Sequence, residues 1–206
     1  MKNQKIAAII LTGIISVSLL AGCGASQGTQ ENKSIGDQTE TVQQNSQNDT
    51  AEEKSEFCNL SSFTAKTLDG KEYTQADFEK ADLTVINVWS TGCGPCIEEM
   101  PELAKFRETL PDNVNLITYC PDADYALDYT KEILDKAEFK GITLISGDGD
   151  LGKFEKQVMY TPTTIFVDSK GNQVGEAIIG ADGNLSTVYK EHINKALAAM
   201  GKKVIS

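Results

Sequence analysis

The chain has 206 residues, enough for one folded domain plus additional segments. It carries 30 acidic against 19 basic side chains, a formal charge of −11, which argues against charge-driven binding of nucleic acid or of an anionic lipid surface. Five cysteines accompany a single histidine, His192, which leaves little scope for histidine-based metal or triad chemistry.

At the N-terminus, Lys2 and Lys5 precede an apolar run over 6–20 and then small residues. That order is the signature of a secretory signal, here assigned to 1–22, and the run is short for a membrane span. Leu20, Ala21 and Gly22 ahead of Cys23 resemble the lipobox of bacterial lipoproteins. The resemblance implies cleavage before Cys23, a diacylglycerol on its sulfur and an acylated amine. Several acyl chains make a firm anchor where one alone binds marginally. The expected location is therefore the extracytoplasmic face of the cell membrane. Residues 24–56 are Gln, Asn, Ser, Thr and acids with almost nothing to bury. Such a stretch does not offset its ordering entropy, so 23–56 reads as a lipidated cysteine followed by a disordered tether. A coil of this length spans about 30 Å and lifts the domain off the bilayer.

Residues 57–206 suit one α/β domain. Two short strand-like runs flank Asp69-Gly70, a hairpin signal. Residues 83–89 are nearly all apolar and β-branched, which predicts a buried central strand. A helix follows to about Leu110, with Cys96, Met100, Leu103, Phe106 and Leu110 at steps of three and four, and with Pro101 expected to kink it. Residues 114–120 read as a second buried strand. Residues 123–139 read as a helix with Leu127, Thr130, Leu134 and Ala137 on one side. A short strand is expected over 142–146 and one or two helical turns over 150–158. Residues 163–168 and 173–180 read as an antiparallel pair around a turn, and 184–200 as a terminal helix. Strands alternating with helices call for a parallel centre with right-handed crossovers. With the closing antiparallel pair, the order resembles a thioredoxin-like fold: a central mixed sheet flanked by helices, with an N-terminal β-hairpin.

Cys93 and Cys96, separated by Gly94 and Pro95, stand between the first buried strand and the helix. Such a pair can ligate a metal, crosslink the chain or cycle as a redox centre. Placement favours the last. Reactive groups collect at the carboxyl edge of open α/β sheets. A helix N-terminus presents unpaired N–H groups and partial positive charge, which stabilise a thiolate. Cys93, at the mouth, is the expected attacking thiol, and Cys96, one turn in, the expected resolving thiol. Pro95 restricts the backbone there and Gly94 leaves room for a partner chain.

Thr161-Pro162 just ahead of a strand, downstream of Trp89 and the Cys-Gly-Pro-Cys segment, resembles the thioredoxin-family signature. In that family the X–Pro bond is cis, packs against the cysteine pair and offers backbone groups to a partner peptide. Glu99, three residues past Cys96 and followed by Met100-Pro101, narrows the resemblance. With the lipobox and the hairpin it is similar to the TlpA/ResA group of membrane-anchored thiol–disulfide oxidoreductases. That resemblance implies that Glu99 moves protons for the thiols, since a partly buried carboxylate has a raised pKa and can accept the proton of Cys96. Glu98 beside it is expected in solvent. Two positions depart from the pattern. Asn87 stands where thioredoxins carry Asp, so it can hydrogen-bond but not take a proton. Gly92 stands where an aromatic residue usually precedes the first cysteine.

Cys120, at the end of the second strand, is expected on the same edge as Cys93. A buried free thiol, a structural disulfide involving Cys58 and Cys120, and a direct redox role all stay open. Cys58, Cys120 and His192 show no paired ligand spacing, so neither a metal nor another cofactor is expected. His192 is expected to pack mid-helix, and Trp89 to pack beneath the cysteine pair. The Gly-Pro insert matches thioredoxin, a strong reductant, which favours reduction of disulfides in exported proteins. By resemblance these include apocytochrome c, with a membrane electron donor of CcdA type. A disulfide-forming oxidant is the alternative. A peroxiredoxin-type peroxidase is disfavoured because Ser90, not Thr, lies three residues before Cys93, and copper delivery because no histidine neighbours the pair.

Overall fold

The computed structural model describes residues 57–206. The expected signal over 1–22, the lipidated Cys23 and the tether over 23–56 lie outside the described residues. Seven strands form one sheet in the order β2-β1-β5-β4-β3-β6-β7. The hairpin is β1 (Thr64–Thr67) and β2 (Glu72–Thr74), turned at Gly70, whose φ is +82°. A 3-10 segment, Gln75–Lys80, follows; it escaped the sequence reading, although Asp77 reaches back to accept the Thr74 N–H at 2.8 Å. At the centre lie β3 (Leu83–Val88) and β4 (Val114–Tyr119), parallel, with β5 (Thr143–Gly147) parallel to β4 and antiparallel to β1. β6 (Thr163–Asp168) runs antiparallel to β3.

Alternation along the central strands sorts the core into two layers. Leu83, Val85 and Trp89 of the β3 segment, with Leu116 of β4 and Phe166 of β6, face one cluster. That cluster is completed by α1 (Gly94–Glu108), α2 (Leu127–Lys136) and α4 (Leu185–Ala199). Ile86, Val88, Ile117, Tyr119 and Ile165 face the other, which holds Phe78 and, from α3 (Gly149–Glu155), Leu151 and Phe154. Helices thus flank both faces of a mixed sheet, as expected.

Two elements differ from the sequence reading. The helix expected over 123–139 is broken: a 3-10 turn, Ala123–Tyr125, ends at Ala126 (φ −138°, ψ 38°) before α2 starts. Leu127, expected on the buried side, is 38% exposed because it opens that second helix, whereas Thr130 and Leu134 are buried. The strand expected over 173–180 shrinks to an isolated bridge at Gln173 and to β7 (Ile178–Ile179). Gly175, at φ +73°, turns the backbone out of the extended conformation between them. Pro101 lies inside α1, which runs on to Glu108, close to the expected end, although the ring removes one helical N–H. Among the described residues no helix is long and apolar enough to cross a membrane.

Candidate active site

Strand β3 ends at Val88, and Trp89 N–H still bonds the Tyr119 carbonyl at 2.9 Å before the chain turns. Cys93 is the N-cap of α1: its Sγ accepts the Cys96 N–H at 3.2 Å. The helix therefore aims an otherwise unpaired N–H at that sulfur, the arrangement that stabilises a thiolate. Cys93 and Cys96 are joined by a disulfide. Cys93 is half-buried and Cys96 fully buried, packed in the same cluster as Trp89 and Met100. Gly94 and Pro95 are exposed, and a Cβ on Gly94 would meet nothing within 4 Å.

The Thr161–Pro162 peptide is cis. Because β6 is antiparallel to β3, with Thr163 opposite Val88, the start of β6 arrives where β3 ends. This places the Thr161 carbonyl oxygen 3.4 Å from Cys93 Sγ although 68 residues separate them. On the solvent side Met159 and Tyr160 are exposed, at 77% and 71%.

Glu99 lies half-buried one turn beyond Cys96. Burial raises its carboxyl pKa to about 7; the Asn87 amide opposes the shift and the Glu102 charge adds to it. Asn87 Nδ2 donates to Glu99 Oε1 at 3.1 Å. Glu98 is exposed, as expected. Pro95, Glu98, Glu99, Glu102 and Asp182 line an open groove of ≈ 290 Å³ beside the disulfide. At Gly92 a Cβ would also meet open space, so the position of the missing aromatic is a gap in the rim.

Cys58 and Cys120 are free thiols on opposite faces of the sheet, so no disulfide joins them. Burial pushes the Cys120 thiol far up, and its Sγ donates to Asp122 Oδ1 at 3.2 Å. His192 stacks on Phe166 with centroids 5.6 Å apart, the packing role expected. Two features escaped the sequence reading. Asp122 accepts from Thr91 in the loop before Cys93; a carboxylate just past β4 was findable, since β3 and β4 end on one edge. Thr164 and Tyr189 surround Asn87, and nothing local in the sequence pairs them with it.

The Redoxin family matches residues 46–202, most of the chain. This chain belongs to the redoxin family. Over 110 residues the redoxin chain is 28% identical to the thioredoxin-like protein YneN of Bacillus subtilis (strain 168), covering 53% of this chain and 63% of that one. It is 23% identical over 111 residues to the sporulation thiol-disulfide oxidoreductase A of the same organism, covering 53% and 66%. The chain thus spans just under two thirds of the length of these relatives. The thioredoxin domain of a thiol-disulfide oxidoreductase from Bacteroides vulgatus superposes with a TM-score of 0.52 at 20% identity, over 66% of this chain and 99% of that one. The redoxin domain is thioredoxin-like in fold.

Proposed function

We propose that this redoxin is a thiol–disulfide oxidoreductase of the TlpA/ResA kind that reduces disulfides in exported proteins. One observation carries the reading: Cys93 Sγ caps α1, accepts the Cys96 N–H and faces the cis-Pro loop, with Cys96 buried behind it. In the dithiol form the Cys93 thiolate attacks a substrate disulfide; one substrate sulfur leaves as thiolate and a mixed disulfide forms on Cys93. Glu99 takes the proton from Cys96, whose thiolate attacks Cys93 Sγ and expels the second substrate sulfur. The substrate gains two electrons, and Cys93–Cys96 becomes the disulfide. Thr161 and Pro162, with Gly94 and Pro95 open opposite them, offer the backbone edge on which a substrate segment lies.

The site stands at the extracytoplasmic face of the cell membrane, anchored through lipidated Cys23 and the tether to 56. Reducing equivalents come from a membrane dithiol carrier of CcdA type, and apocytochrome c belongs to the substrate class. The name of the sporulation thiol-disulfide oxidoreductase supports the chemistry. The test uses the full chain. Reduced protein is expected to reduce insulin, Cys93→Ser to abolish the reaction, and Cys96→Ser to accumulate mixed disulfides on Cys93 in cells. Intact insulin with the wild-type protein would overturn the reading. Cys23→Ser is expected to leave the membrane fraction; retention there would remove the anchor.

A further inference from the structure

Asn87 is fully buried, and three acceptors surround its Nδ2: Glu99 Oε1 at 3.1 Å, Tyr189 Oη at 3.0 Å and Thr164 Oγ1 at 3.2 Å. The amide has only two hydrogens to give. Its own Oδ1 is buried without a partner, an arrangement that costs free energy. Tyr189 Oη and Thr164 Oγ1 lie 2.6 Å apart, so one donates to the other. Every group around Nδ2 can reverse its role. A hydroxyl donates or accepts, and a carboxyl accepts when ionised and donates when protonated. Half a turn of the amide puts Oδ1 where Nδ2 stood, among groups able to donate to it.

We infer that Asn87 and Tyr189 are positioning residues for Glu99, forming a relay that satisfies both of its protonation states. With Glu99 ionised, the Asn87 N–H donates to the carboxylate and Tyr189 donates to Thr164. With Glu99 protonated, the amide turns over and its oxygen accepts from the Glu99 carboxyl and the Tyr189 hydroxyl. Glu99 thus keeps a hydrogen-bond partner both when it has taken the proton of Cys96 and when it has released it, while the partnerless side of the amide holds Oδ1 in one state and the NH2 group in the other. This rests on the acid–base role proposed for Glu99. Asn87 of β3 bonds Glu99 directly, and Thr164 of β6 and Tyr189 of α4 stand behind it as partners of Asn87. Glu98 and Glu102 of α1 and Asp182 ahead of α4 line the same groove. None of these is a cation, so the relay, not a counter-ion, accommodates the charge.

The test is an NMR titration of the reduced full chain, following the Glu99 carboxyl carbon and the Asn87 side-chain amide together. Both are expected to move with one midpoint. Asn87→Ala is expected to raise that midpoint by about one pH unit, since the carboxylate loses its N–H donor. Tyr189→Phe, the milder change, is expected to lower it by about half a unit, since the protonated state loses a donor to the amide oxygen. An Asn87 amide that stays still while Glu99 titrates overturns the relay, as does an unchanged midpoint in Tyr189→Phe. The acid–base role is tested separately: if Glu99→Gln leaves the pH dependence of disulfide exchange unaltered, that role fails whatever the amide does.

Discussion

The Asp122 carboxylate grips Thr91 twice, at 3.0 Å from its backbone N–H and at 2.6 Å from its hydroxyl, across 31 residues of sequence. The loop it grips carries Gly92 and leads into Cys93 and Gly94, so few side chains stiffen it. The hydrogen bonds hold the Asp122 carboxyl below its usual range even though burial opposes this. The carboxylate form is therefore the one that clamps the loop.

Removing the clamp should be felt at the sulfurs. Asp122→Ala is expected to cost about 1 kcal/mol in urea unfolding, the value of a partly solvated charge-assisted contact. It is also expected to shift the Cys93–Cys96 reduction potential measured against glutathione. A potential equal to wild type would mean that the loop holds its geometry without Asp122.

Thiol reactivity should separate the cysteines. In reduced Cys96→Ser, where the residue 96 N–H still points at the capping sulfur, Cys93 is expected to alkylate with a pKa below the free-thiol value of about 8.5. Cys120, buried and with its thiol pushed up, is expected to label only after unfolding. Peptide mapping by mass spectrometry across a pH series reads both. Equal labelling of Cys120 in the native state would contradict its burial.

Glu99 should leave a pH signature on stability. Its folded pKa, about 7, lies above the ordinary 4.5. Across that window the folded state holds a proton that the unfolded state has released, so stability falls as pH rises from 4.5 towards 7. Glu99→Gln removes the ionisation. The variant is expected to gain on wild type as pH rises through this window and to hold a constant margin above it. Urea midpoints at pH 4.5, 6 and 8 check this; parallel curves would show that Glu99 is not raised.

Gly171 stands at φ +81°, and a Cβ there would lie 2.1 Å from the Leu60 carbonyl oxygen. Its own carbonyl accepts the Leu60 N–H at 2.7 Å, pinning the start of the described chain to the β6 turn. Gly171→Ala is expected to lose about 2 kcal/mol or more, from left-handed backbone strain and from displacing Leu60. Thermal unfolding measures it, and a Tm equal to wild type would mean the contact yields freely.

The strands, the helix after the cysteines and the Thr-Pro unit were legible because each is a local pattern. β3 is six consecutive buried residues, and α1 repeats its apolar positions at helical steps. The break at Ala126 and the shortening of the last strand were not legible. Periodicity alone does not register a backbone turned by a single residue, whether Ala126 at ψ 38° or Gly175 at φ +73°.

By itself the sequence determined which residues carry sulfur, proline and carboxylate chemistry, and that Cys93 opens a helix at the end of a buried strand. Only the tertiary structure decided what surrounds them. Asn87 and Tyr189 are 102 residues apart and 3.0 Å from one another, and Thr91 meets Asp122 across a neighbouring strand. The physical reason is strand order. A polar side chain bonds whatever the sheet brings to its edge, and the order β4-β3-β6 is set by burial of apolar faces across the whole domain, which no local spacing encodes.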